Sequence, residues 1–352
     1  MRSFLAVLIG FVLAACSPEQ ASEQQSATDT QAGGEAVGPS EPLVVYSSRI
    51  EALIRPLFER YEEETGERIR FLTDSDGALI ARLDAEGVHT PADILMTVDA
   101  GNLWRAADLG LLQPLESSDV SDAIPPQYRD SRNRWTALSL RARTIVYSTE
   151  RVAPENLSSY AALADDAWQD RLCLRTSKKV YNQSLVAAMI ARLGEERTEE
   201  VVRGWVGNLA EPPFANDTAV VEAIVAGQCD VGIINSYYFG RLEAKNPEIP
   251  AALFWANQGD GEGGTHVNVS GAGVTAHSRH AERARALIAW LAEGEAQHLY
   301  AELNMEFPAN PDVEAAEAVK AWGDFRADDL AIEKVGELQP AAVKLMDRAG
   351  YR

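Results

Sequence analysis

Two adjacent tyrosines, Tyr237 and Tyr238, end the stretch Asp230-Val-Gly-Ile-Ile-Asn-Ser-Tyr-Tyr-Phe-Gly240. The apolar run from Val231 to Ile234 reads as a buried strand, and open α/β sheets place ligands beyond the carboxyl ends of such strands. On its own, the pair is also explained by one ring packing in the core while the other lies on the surface. Tyr181 adds a second observation. It falls in Lys178-Lys-Val-Tyr-Asn-Gln-Ser184, which reads as another strand-to-helix turn. All three tyrosines therefore occupy carboxyl-end positions of one βα series. Phenols converging on one cleft suit a hard, highly charged cation, because phenolate is a hard anionic oxygen donor. A trivalent metal displaces its proton despite a free pKa of about 10. Zinc and copper more usually recruit His or Cys.

Other chemistry is scarce. The chain has no HExxH, no Gly-x-Ser-x-Gly elbow and no Walker loop. An anchored hydrolase would need a nucleophile with a base, and no such pair stands out. The run Gly259-Asp-Gly-Glu-Gly-Gly264 does not follow a strand as a nucleotide loop does, and reads as a surface loop. His277 and His280 have a spacing that metals use, but with Arg279 between them they read as a solvated face. Asp74 and Asp76 are better explained by turn formation and helix capping than as paired acids. A net charge of −21 leaves no basic footprint for nucleic acid.

The elements that position these residues alternate. Leu43–Tyr46, Arg68–Leu72 and Pro91–Val98 read as strands, with helical periodicity from Ile50 to Gly66 and from Ala78 to Glu86. Gly66 is a natural helix stop, and Pro56 requires either a start near Arg55 or a bent first turn. Short βα connections predict mostly parallel sheets with helices on both faces. Trp135–Ser148 is an extended stretch long enough to pass between two lobes. Arg171–Arg175 begins the second βα series, which carries the tyrosines.

Residues 1–15 have one positive charge, an apolar run and small residues, the pattern of a signal peptide. Leu13-Ala14-Ala15-Cys16 resembles the lipobox of bacterial lipoproteins, which implies a lipid on Cys16. Residues 16–42 hold the lipidated cysteine and a polar segment that reads as a flexible tether. No later stretch is long and apolar enough to span a bilayer, so the expectation is a periplasmic or cell-surface protein anchored by lipid. Roughly 310 residues remain, which suits two lobes. Cys173 and Cys229 are an even pair in an exported chain, and a disulfide is favoured over two buried thiols.

From about Leu43 onward the chain resembles the periplasmic ferric-iron-binding proteins of ABC transporters, within the two-lobed type II binding-protein class. The matching stretches include Val45-Tyr-Ser-Ser-Arg49, Thr90-Pro-Ala-Asp-Ile-Leu-Met-Thr-Val-Asp-Ala-Gly101, Arg171-Leu-Cys-Leu-Arg175 and Tyr181-Asn-Gln-Ser-Leu185. Asn235-Ser-Tyr-Tyr-Phe-Gly240, Gly264–Gly273 and Asn304-Met-Glu-Phe-Pro308 complete them. The resemblance implies an α/β fold with the ligand cleft between lobes, residues 43–139 with about 270–318 forming the first and 140–269 with about 319–352 the second. It implies that Tyr181, Tyr237 and Tyr238 bind Fe(III), with carbonate or another anion completing the sphere. Arg49, Arg141 or Arg143 would hold that anion, and which of Arg141 and Arg143 faces the cleft is left open by the resemblance. Some members place His-Tyr after the Tyr-Ser-Ser-Arg turn; here Ile50 and Glu51 stand there, so the first lobe offers at best Glu51. The implied partners are a permease and its ATPase, and the implied state is a monomer that is not an enzyme. A same-fold binder of a polyamine or an organic anion is the nearest rival.

Overall fold

The structure, a computed structural model, describes residues 41–352. The signal, Cys16 and tether expectations fall on residues outside that range. Ten strands form the sheet: β1 (Leu43–Ser47), β2 (Ile69–Thr73), β3 (Ile94–Thr97), β4 (Leu112–Gln113), β5 (Thr136–Ser148), β6 (Leu172–Cys173), β7 (Val231–Asn235), β8 (Ala251–Phe254), β9 (Val267–Thr275) and β10 (Phe307–Pro308). The main order is β2-β1-β3-β9-β5-β7-β6.

The sheet is mixed, which corrects the expectation of mostly parallel strands. Among these ten strands, parallel pairing is confined to β1 with β2 and β3, and to β6 with β7. Every pairing made by the long strands β5 and β9 is antiparallel. The reason lies in connectivity. Helical crossovers enforce parallel neighbours within each βα series, whereas β5 and β9 run between the two series in opposite directions. Through Ala142, β5 pairs with β9; from Arg143 onward it pairs with β7 and β8. One strand thus belongs to both halves of a two-lobed α/β fold.

Local signals explain the helices that flank the cleft. The helix Glu51–Thr65 buries Ile54, Leu57, Phe58 and Tyr61 at helical spacing. It stops at Gly66, whose φ of 72° lets its N–H reach the Glu62 carbonyl at 2.9 Å. It begins at Glu51, with Pro56 inside it, so the earlier of the two starts allowed by that proline is the one adopted. The helix Ala100–Asp108 is capped by Asp99, which accepts the Gly101 N–H at 2.8 Å.

The C-terminal helix Ile332–Arg348 packs on both Ala100–Asp108 and Val180–Leu193, one from each βα series. Gln339 on this helix donates to Asp99 at 2.6 Å and to Ser184 at 2.7 Å, and Ser184 itself donates to Asp99 at 2.7 Å. The approach requires glycine at 101, since an added Cβ would lie 2.0 Å from the Gln339 Oε1. Cys173 at the end of β6 is bonded to Cys229 in the turn before β7, with Cα atoms 5.9 Å apart. Both cysteines are buried in a cluster with Val220, Ile224 and Ile234. Among the described residues, no helix is long and apolar enough to cross a membrane.

Candidate metal centre

Tyr181 is the second residue of the helix Val180–Leu193. Tyr237 and Tyr238 lie in the first turn of the helix Ser236–Glu243, which follows β7 without a loop. Sequence reasoning placed the pair at a strand end; the strand stops at Asn235 and the tyrosines begin the helix. The three converge on one cavity of about 280 Å³. The Tyr237 hydroxyl lies 3.4 Å from that of Tyr181. The rings of Tyr237 and Tyr238 are 4.4 Å apart, centroid to centroid.

Cations surround these phenols. The Arg141 guanidinium lies 5.3 Å from the Tyr181 ring centroid, Arg175 lies 5.4 Å and the Lys179 ammonium 5.0 Å from the same ring. Arg241 lies 5.1 Å from Tyr237 and 5.9 Å from Tyr238. Burial, reinforced by Tyr181 and Tyr238 close by, pushes the Tyr237 phenol well above its ordinary pKa, with Arg141 opposing. Burial works against the charge of Arg141, but Tyr181, Glu306, Tyr237 and Asp99 outweigh it and raise its pKa. The Tyr237 phenol therefore keeps its proton among fixed cations. A ligand at this oxygen must be strong enough to displace that proton, which a trivalent metal is. Among the described residues, no three His, Cys, Asp or Glu side chains cluster to hold a metal.

The remaining expected site residues separate into two groups. Arg49 and Arg141 line the cavity. Arg141 donates to the Val269 carbonyl at 2.6 Å, while Arg49 pairs with Glu306 at 3.1 Å and donates to Ser270 at 2.6 Å. Burial raises the pKa of the Glu306 carboxyl, but Arg49 and Arg141 outweigh this and hold it below the usual value. Arg143 and Glu51 are absent from the cavity wall. Arg143 is buried and donates to Asn182, to Asn235 at 3.1 Å and to the Ile233 carbonyl at 3.1 Å, and it pairs with Asp217 at 3.3 Å. It braces the two turns that carry the tyrosines and does not reach an anion in the cavity. Glu51 pairs with Arg55 on the exposed side of its helix, and its neighbours Ile50 and Leu53 line the cavity beside Arg49.

Three residues were not singled out from the sequence. Glu306 locks Arg49 in place and also accepts from Ser139 and Asn304. Arg175 pairs with Asp217 at 3.3 Å and donates to the Ala215 carbonyl at 3.1 Å. Both lie within stretches that carried the family resemblance, but their types alone assigned no role. Arg241 offered a clearer signal, lying three and four residues after the tyrosine pair and hence on the same helix face. It donates to Asn304, which in turn donates to Glu306.

Fold and cavity together are those of a two-lobed α/β binding protein in which three tyrosines converge on one cation-lined cavity. The chain belongs to the bacterial extracellular solute-binding protein family, whose model matches residues 89–327. Iron uptake protein A2 of Synechocystis is 40% identical over 323 residues, covering 90% of this chain and 92% of that protein. Iron uptake protein A1 of the same organism is 37% identical over 322 residues, covering 90% and 89%. A solved structure of Trichodesmium FutA with iron and citrate ligands superposes with a TM-score of 0.85 at 38% identity. That match covers 89% of this chain and 100% of the other.

Proposed function

We propose that the protein captures Fe(III) through Tyr181, Tyr237 and Tyr238 and delivers it to the permease and ATPase of an ABC transporter. Convergence of the three phenols on one cation-lined cavity carries this reading. The similarity to iron uptake proteins supports the identity of the cargo. Three phenolates balance the charge of one Fe(III). Arg141, with Lys179 and Arg241, leaves room and positive potential for carbonate or another anion on the open coordination positions. Binding and release constitute the function, and no reaction is catalysed.

The remaining parts of the proposal concern its setting. Residues 1–15 direct export, and lipid on Cys16 with a tether to residue 42 holds the folded part at a membrane in the periplasm or at the cell surface. The protein acts as a monomer. Its lobes comprise 43–139 with about 270–318, and 140–269 with about 319–352. β5 and β9 cross between them, and closure brings the first lobe over the metal.

Loading is coupled to protons, and the sign is fixed by the buried phenols. Phenol groups bind protons in the apo state and give them up to the metal, so acid favours release. Titration of the apo protein with ferric citrate at constant pH should release up to about three protons per iron from the phenols, after correction for the citrate control. Affinity should fall as pH is lowered, and because the Tyr237 phenol is pushed well up it still has a proton to give up throughout the neutral range. Proton release near zero with iron bound would place the metal on groups other than these tyrosines.

A further inference from the structure

All three phenols sit on the second βα series, which leaves open how the first lobe holds the cargo. Two carboxylates line the cavity, Asp76 and Glu306. Glu306 is buried and committed, accepting from Arg49, Ser139 and Asn304. Asp76 is half-buried at the start of the helix Asp76–Glu86, and its Oδ1 accepts the Val98 N–H at 3.3 Å. A long single bond from one backbone N–H leaves most of the acceptor capacity of that carboxylate facing the cleft.

Lys179 is its counterpart on the other lobe. It is half-buried, directly precedes the helix Val180–Leu193, and rests its ammonium on the face of the Tyr181 ring. A second cavity, of about 370 Å³, adjoins the metal cavity, and Asp76 and Lys179 line both. The two residues therefore stand on the shared rim, one from each βα series, with opposite charges. Any closing motion that narrows this rim brings carboxylate and ammonium together.

We propose that Asp76 and Lys179 form an ion pair across the cleft in the loaded protein, and that this pair supplies the first lobe's grip on the cargo in place of a metal-ligating side chain. The inference rests on the ferric reading above. It assigns both residues a positioning role, holding the lobes together while the phenolates hold the metal. The displacement of water on closure makes such a pair worth more than an exposed one, which contributes little.

The test is a charge-swap cycle on the full folded protein, loaded with Fe(III) and challenged with excess EDTA, with release followed by loss of the visible charge-transfer band. Asp76→Asn and Lys179→Gln should each release iron about tenfold faster than the native protein. Asp76→Lys alone should be faster still, and Asp76→Lys combined with Lys179→Asp should return to within about threefold of native. The band position should be unchanged in Asp76→Asn, because the carboxylate does not touch the metal. Independent effects of the two substitutions, with no rescue on swapping, would overturn the pair. A shifted band in Asp76→Asn would overturn it differently, by making Asp76 a metal ligand. A native protein that never develops the band fails the ferric reading itself, whereas a normal band with uncoupled release rates fails only the cross-cleft pair.

Discussion

Replacing Tyr237 and Tyr238 together with phenylalanine should abolish Fe(III) binding while leaving the melting temperature nearly unchanged. The substitution deletes two hydroxyl oxygens and no ring. The tilted ring contact, with centroids 4.4 Å apart, is carbon against carbon and survives. The buried Tyr237 hydroxyl has only long contacts, to Tyr181 at 3.4 Å and Asn235 at 3.5 Å, so the main hydrogen bond lost is that between Arg175 and the Tyr238 hydroxyl. The metal, by contrast, loses two of three anionic donors. Changes to groups that merely orient ligands cost about 10–100-fold in metal affinity, and removal of two direct ligands should exceed that range. Iron content after gel filtration and visible absorbance measure the loss, and a thermal melt checks the fold. Retained iron at native stoichiometry would place the site elsewhere.

The second large effect concerns a residue that never touches the metal. Arg143→Leu should destabilise the protein by about 3–5 kcal/mol, the usual consequence of removing one partner from a buried ion pair. Asp217 is fully buried and depends on Arg143 and Arg175, each at 3.3 Å. Deleting one guanidinium leaves a buried carboxylate half-paired, and strips Asn182 and Asn235 of a shared donor. Those asparagines neighbour Tyr181 and Tyr237, so iron binding should weaken as stability falls. Arg143→Lys should recover part of the charge but not the forked geometry, and should fall between leucine and arginine. Denaturant unfolding at fixed pH measures the difference. A leucine variant as stable as the native protein would remove Arg143 from the scaffold described above.

The contrast between Arg141 and Arg143 shows where sequence reasoning reached its limit. Two residues apart on a strand, they share a face by simple alternation, and the sequence left open which of them faces the cleft. β5 changes partners between them, from β9 to β7, so the same face meets a cavity at 141 and a packed interior at 143. Alternation predicts which way a side chain points, but partner strands decide what it meets. The same limit accounts for the antiparallel pairings, because an extended run carries no record of the direction of its neighbour. Glu51 illustrates a helical version. Once the helix begins at that residue, its side chain has Arg55 one turn away on the solvent side, and Ile50 is left to face the cavity.

What was legible came from patterns with local causes. The βα alternation, the stop at Gly66 and the turns bearing Tyr181 and the tyrosine pair follow from periodicity and punctuation over a few residues. The buried salt-bridge partners Glu306 and Asp217 were invisible for the opposite reason. Glu306 meets Arg49 from 257 positions away and Asp217 meets Arg143 from 74, pairs brought together only by the fold.

Titrating the purified native protein with ferric citrate and following its visible absorbance tests the central claim most directly. The account predicts a phenolate-to-iron charge-transfer band that saturates at one iron per protein and disappears when Tyr237 and Tyr238 are both phenylalanine. A colourless protein, or colour that persists in the double variant, would contradict it.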